Sequence, residues 1–178
     1  MEKVIAERVF PEVLTRERLH LARAANSWCL EQNRVHLAYS YLARDGRNLI
    51  CVHDAPDAEA VRRAGRLAAG MPQPDVWTAT LVEAKAASDS SDMTFVVVPR
   101  RFERDRPVEE LQEVENRGAW CLDLHRVTFL RTYLSMDRRR WLCVYQAPDA
   151  EAVRRTQKQL GLPFDDAWSA SLERYEEA

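Results

Sequence analysis

Hydrophobic and polar positions along the chain switch between two periods, and the switching happens twice over. Short apolar runs predict strands over residues 4–10, 35–42, 49–54 and 76–82. Apolar residues at helical spacing predict helices over 15–32 and 57–69. In the first helix the apolar positions are Leu19, Leu21, Ala22, Ala25, Trp28, Cys29 and Leu30, while Arg16, Glu17, Arg23 and Glu31 read as its solvated face. The second half repeats the order, with strands over 95–102, 127–134, 140–146 and 166–172, one helix opening at Pro107 and another over 149–160. Strand–helix–strand–strand–helix–strand is the order of a ferredoxin-like unit.

The element boundaries carry their own chemistry. Proline at 56 and 148 stops each third strand. Asp57 and Asp149 can then accept the free N–H groups of a first helical turn, and Thr15 can do the same for the first helix. Gly70, with Pro72 beyond it, ends the second helix. Asp45-Gly46 predicts a two-residue hairpin turn with both central residues left-handed, which sets Ala38 opposite His53.

The nine-residue phrase Ala-Pro-Asp-Ala-Glu-Ala-Val-Arg-Arg occupies 55–63 and returns unchanged at 147–155, 92 residues later. Trp28-Cys29-Leu30 and Tyr41-Leu42 recur at the same offset, and after one residue drops out Gly70 and Pro72 match Gly161 and Pro163. The chain is therefore two divergent copies of one unit. The expected organisation is a ferredoxin-like repeat over 1–83, a small-residue linker over 84–92, and a second repeat over 93–178 with a frayed tail at 176–178.

The strands are apolar on both faces: Leu49, Cys51 and His53 alternate with Ile50, Val52 and Asp54. Two helices cover one face of a four-stranded sheet, and a solvated second face would be polar at alternate positions. The expectation is an α+β chain of two tandem ferredoxin-like (βαββαβ) units packed as a pseudo-two-fold pair, sheet against sheet, in the manner of a dimeric α/β-barrel.

Charge narrows the function classes. A net charge of −2, balanced between the halves, argues against nucleic-acid binding. No apolar run approaches the length of a membrane span, and the first residues lack a signal-peptide core. A cytoplasmic location is expected, with no membrane partner. The four cysteines form two repeat-equivalent pairs, Cys29/Cys121 and Cys51/Cys143, without zinc or redox spacing, and read as small core residues.

Tyr41-Leu42, Asp45-Gly46, Cys51-Val52, the phrase over 55–62 and Gly70-Met71-Pro72 resemble a bacterial family of small ferredoxin-like proteins, largely of unknown function, that includes nickel-binding proteins. Tyr133-Leu134, Asp137, Cys143-Val144, residues 147–154 and Gly161-Leu162-Pro163 fit the same pattern, as do Glu7-Arg8 and Phe10-Pro11. The resemblance covers nearly everything but the linker. It implies the ferredoxin-like fold and, for cofactor, nickel. The family's metal-binding members are expected to carry histidines at the end of the first strand. Residues 6–10 and 98–102 hold none, so nickel does not carry over residue by residue.

From the residues themselves no cofactor is predicted. His36, Ser40, Cys51 and His53 are expected on one face of the first hairpin, where His36 and His53 form a weak alternative metal pair. The opposite face carries Tyr39, Tyr41 and Asp54, answered in the second copy by Arg131, Tyr133 and Gln146. Arg8, Tyr39, Tyr41, His53, Arg100, Arg131, Tyr133 and Tyr145 are the candidate ligand-binding residues, because hydroxyls and guanidinium forks on covered surfaces need partners. No catalytic grouping is assigned; His53, Asp54 and Tyr41 are the acid–base candidates. His20 and His125 read as surface residues. Three readings stand open: a small-molecule-binding protein with a pocket between the repeats, a cofactor-independent isomerase or cyclase using that cavity, and a nickel or other divalent-metal-binding protein. An internal pseudo-dimer is expected, with further homo-oligomerisation open.

Overall fold

The computed structural model describes residues 1–175, so the tail expected at 176–178 lies outside the described residues. The elements, in order, are β1 (Glu2–Val9), α1 (Arg16–Gln32), β2 (His36–Ala43), β3 (Asn48–Ala55), α2 (Ala58–Leu67), β4 (Asp75–Glu83), β5 (Thr94–Arg101), α3 (Val108–Arg117), α4 (Ala119–Leu124), β6 (Thr128–Ser135), β7 (Arg140–Ala147), α5 (Ala150–Gln159) and β8 (Trp168–Arg174). The chain is α+β, with the ferredoxin-like order twice over. Its compact units cut through two strands: unit 1 is residues 1–79 with the chain from Ser171 onward, and unit 2 is Thr80–Ala170.

In unit 1, β1 lies between β3 and β4, β3 pairs with β2, and the end of β8 neighbours β2. Alternate residues point to opposite faces of a strand. Val4, Ala6, Leu37, Leu49 and Cys51 therefore face the helices, where they pack with Leu19 and Val61. Helix α2 begins where expected: Asp57 accepts from the Ala60 N–H at 2.7 Å. It buries Ala60, Val61, Ala64 and Gly65 and leaves the Glu59–Arg66 pair outside at 2.7 Å. The buried stripe of α1 is narrower than its sequence suggests, since Leu21 and Trp28 are exposed. Its inner face runs instead through Leu19, Ala22, Arg23, Asn26, Cys29 and Leu30, at helical spacing.

Two local departures reset the first hairpin. The turn closes through the Gly46 N–H to the Ala43 carbonyl at 2.9 Å, and Gly46, not Asp45, takes the left-handed conformation, at φ +68°. Ser40 and Tyr39 keep the expected partners, Cys51 and Val52, but the register shifts between Leu37 and Tyr39. This bulge sets Leu37 opposite His53 and His36 opposite Asp54.

In unit 2, β5 lies between β7 and the start of β8, β7 pairs with β6, and the end of β4 neighbours β6. Asp149 caps α5 as Asp57 caps α2, at 2.7 Å. The long first helix of unit 1 becomes two here, α3 and α4, broken at Gly118. A Cβ at Gly118 would sit 2.1 Å from Leu160, so close approach of that side chain requires glycine. The expected linker is held to this unit: Ala84 N–H bonds to the Leu130 carbonyl, and the Ser88 backbone and the Gln146 amide exchange two 2.8 Å hydrogen bonds.

Candidate functional site

The two copies differ in chemistry where each helix pair meets its sheet. In unit 2 a polar network occupies that space, beside a pocket of about 230 Å³ lined by Arg100, Leu111, Val114 and Leu162. Arg100, at the end of β5, is 2% exposed and donates to Gln157 Oε1 at 2.5 Å, Tyr145 Oη at 3.1 Å, the Pro163 carbonyl at 2.5 Å and Cys143 Sγ at 3.5 Å. Tyr145 in turn donates to Glu115 Oε1 on α3 at 2.7 Å. Burial pushes the Glu115 carboxyl up to about 7, against the pull of Tyr145 and Arg100. Burial likewise raises the Tyr145 hydroxyl, with Glu115 adding to the effect. Burial alone would lower Arg100, but Cys143 and Tyr145 hold it above its ordinary range, so it is a fixed cation. A buried cation is stable only with such partners.

At the repeat-equivalent positions unit 1 has the same arginine and cysteine, Arg8 and Cys51, but not the same partners. Gln157 is answered by Gly65, Tyr145 by His53 and Glu115 by Arg23. Arg8 keeps the carbonyl contact, to Pro72 at 3.1 Å, and a 3.8 Å contact to Cys51 Sγ. Cys51 also takes the Ser40 hydroxyl at 3.3 Å, as Cys143 meets Thr132 at 3.3 Å. What the lost side chains vacate is a cavity of about 70 Å³, lined by Arg8, Arg23, His53, Cys51, Ser40 and Tyr175 on its polar side. Leu19, Leu30, Leu49, Val61, Ala64 and Met71 supply apolar walls.

The electrostatics of this cavity are one-sided. No carboxylate lines it. Burial, with the Arg8 charge beside it, depresses the His53 imidazole to about 3, so the ring is neutral at pH 7. His53 is 4% exposed and its Nδ1 has no hydrogen-bond partner. Arg23 lies over the Tyr175 ring at 3.0 Å from its centroid, and burial lowers the guanidinium from its ordinary value. Burial pushes the Tyr175 hydroxyl up to about 12, against the pull of the neighbouring Ser40 hydroxyl. Just outside, Glu173 gathers Arg16 at 2.7 Å and His20 at 3.3 Å, while His20 itself stays exposed. His125 is exposed and meets Gln159 at 3.0 Å.

Of the residues expected from sequence, Arg8 and His53 therefore meet in unit 1, and Arg100 and Tyr145 meet in unit 2. Tyr39 and Tyr41 stack edge-to-face, 5.8 Å apart, on the sheet face away from the unit 1 helices. Asp54 shares that face and pairs with Lys3 at 2.8 Å. His53, Asp54 and Tyr41 thus do not gather at one point. Arg131 reaches Glu83 at 3.5 Å, and Tyr133 is fully buried. The expected grouping of His36 with His53 is corrected by the bulge, which leaves His36 exposed and on the opposite face from buried His53. Among the described residues no cluster of three or more His, Cys, Asp or Glu side chains could hold a metal ion. Sequence reasoning missed Arg23, Gly65, Glu115, Gln157 and Tyr175. The signal for the first four was present in the repeat alignment, where a charge reversal and a Gly-for-Gln exchange fall on the inner helix faces.

Comparison with known proteins places these units. The family model described as nickel responsive protein SCO4226-like matches residues 5–78 and again 95–169. The crystal structure of SCO4226 from Streptomyces coelicolor A3(2) aligns with 42% of this chain and 90% of its own, at 22% identity and a TM-score of 0.37. A heme-binding protein from Thermus thermophilus aligns with 96% of this chain and 90% of its own, at 10% identity and a TM-score of 0.49. No curated protein matches the sequence. Among the described residues no helix is long and apolar enough to cross a membrane.

Proposed function

We propose, for a chain that belongs to the SCO4226-like family of nickel responsive proteins and carries the family unit twice, that it binds a small molecule in the unit 1 cavity. One observation carries this reading: the space that the Gln157, Tyr145 and Glu115 side chains occupy in unit 2 is hollow in unit 1, and His53 Nδ1, on a residue that lines it, is buried without a partner. Leaving a buried polar group unsatisfied costs about 1–3 kcal/mol, and a bound ligand offsets that cost. Pockets of mainly apolar wall with a few convergent polar groups are the usual form of small-molecule sites. In unit 2 the equivalent groups meet one another: Arg100 donates to Gln157 and Tyr145, and Tyr145 donates to Glu115.

The family's nickel does not fit this cavity. A divalent cation needs several deprotonated ligands, and the donors here are one imidazole and the Cys29 and Cys51 thiols, beside two guanidinium groups that repel a metal ion. Metal affinity is therefore not the basis of the proposal. The cytoplasmic setting expected from the sequence suits free Cys29 and Cys51, which the structure keeps buried and unbridged.

The test is a thermal-shift screen of the full chain against molecules of about five non-hydrogen atoms, the scale of a cavity of about 70 Å³. Hits on the native chain that disappear in Gly65→Gln, which restores the unit 2 side chain, support the reading. An absence of hits, or hits that Gly65→Gln leaves untouched, contradicts it. Because a Cβ at Gly65 would press Pro74 at 3.0 Å, His53→Tyr provides a second filling variant.

A further inference from the structure

Unit 2 displays the chemical group that unit 1 lacks. Its cation, Arg100, is answered inside the core by an acid, Glu115, through the Tyr145 hydroxyl. In unit 1 the position of that acid is occupied by a second cation, Arg23. The exchange removes a negative charge and adds a positive one at a single point. At the same time Gly65 withdraws the acceptor that Gln157 offers Arg100, and His53 withdraws the Tyr145 hydroxyl. Among the described residues neither Arg8 nor Arg23 is paired with a carboxylate; their contacts are to Pro72, Cys51 and the Tyr175 ring. The neutral His53 ring adds a buried nitrogen without a partner. At positions 23 and 65 the exchanges therefore add positive charge or remove an acceptor.

From this, and resting on the reading that the cavity is a ligand site, we infer that the ligand is a short-chain monocarboxylate, its carboxyl group held between Arg8 and Arg23. Guanidinium forks match a planar carboxylate with two parallel N–H donors. Size and walls choose among anions. About 70 Å³ corresponds to roughly five probe spheres at about 15 Å³ each, which is the scale of an acid of about five non-hydrogen atoms. The apolar side, formed by Leu19, Leu49, Val61 and Met71, suits a short alkyl tail and leaves the far oxygens of a phosphate or sulfate without donors. Gly65 matters twice: it opens the space, and it leaves Arg8 Nη2 only 3.8 Å from where its Cβ would be.

The experiment uses the full chain at pH 7 with three probes: propionate, its neutral isostere propionamide, and inorganic phosphate, with affinities from calorimetry. Propionate is expected to bind at least tenfold more tightly than either of the others. Arg23→Gln is expected to weaken propionate by tenfold or more while leaving propionamide within about twofold, and Arg23→Glu, which restores the unit 2 charge, to abolish propionate binding. Arg23 is half-buried, and a thermal melt checks that both variants keep the fold. Propionamide binding as tightly as propionate overturns the anion inference and leaves the pocket standing. Phosphate binding more tightly than propionate overturns the carboxylate class. If none of the three binds the native chain, the inference fails; if the broader screen also finds no ligand, the pocket fails with it.

Discussion

The copies bury titratable groups of opposite behaviour, and this makes a pH experiment sharp. Glu115 rises from an ordinary 4.5 to about 7, so the folded chain holds its proton more tightly than the unfolded chain does. Its contribution to stability is full below pH 4.5 and is lost as pH rises through about 7. His53 falls from 6.5 to about 3, so its contribution is full above pH 6.5 and is lost as pH falls toward 3. At about 1.4 kcal/mol per unit, the Glu115 shift is worth about 3 kcal/mol and the His53 shift about 5 kcal/mol. Between pH 4.5 and 6.5 the two slopes oppose each other and nearly cancel in the native chain. Glu115→Gln removes one of them. The variant's urea-unfolding free energy, relative to the native chain, is expected to gain about 3 kcal/mol between pH 4.5 and 7.5. His53→Gln is expected to show the opposite trend over pH 4.5 to 6.5. Taking differences between variant and native chain cancels every other titrating group. Parallel profiles for the native chain and Glu115→Gln would refute the reasoning, because a carboxyl with an ordinary pKa contributes no such difference.

Further expectations follow from the same contacts. Arg100→Met leaves Glu115, Tyr145 and Gln157 without their shared cation and should cost about 3–5 kcal/mol by urea unfolding. Arg8→Met, at a half-buried arginine with two contacts, should cost less than about 1.5 kcal/mol; equal losses at the two sites would contradict the asymmetry described. Gly118→Ala drives a methyl into Leu160 and should cost about 1–3 kcal/mol, read as a lowered Tm. Asp57→Ala and Asp149→Ala each remove a 2.7 Å cap and should each cost about 1 kcal/mol in chemical denaturation.

Most of the fold was written in local chemistry. The Ala-Pro-Asp phrase marks two strand ends and two caps, and Thr15 accepts from Arg18 N–H as a cap should. The repeat fixed the order of elements because identical boundary residues impose identical boundaries. What stayed illegible depended on single-residue events. The bulge at Ala38 is a one-residue insertion with no residue type that announces it, yet it moves His36 to the other face and undoes the His36–His53 pair. Gly46 alone takes the turn's left-handed conformation, so the Asp-Gly pair closed a different turn from the one its residues favour. Arg23 looked like part of a solvated face because a charged residue on a helix usually is. Its inward position follows from Leu19, Ala22 and Asn26, which share its face, while Leu21 and Trp28 point out. The candidate site was therefore half visible: Arg8 and His53 stood out as chemistry, whereas Gly65 mattered through the side chain it lacks, and only comparison with Gln157 in the second copy gives that absence meaning.

The central claim is that one copy is a ligand site, whereas the other pairs the equivalent polar groups to one another. The most direct measurement is a titration of the isotope-labelled full chain with propionate and with propionamide, following backbone amide signals of both copies at once. The account expects saturable shifts at Gly65, Cys51 and Ala22 with at least one probe, and still signals at the equivalent Gln157, Cys143 and Val114. Shifts of equal size in both copies, or in neither, would contradict it.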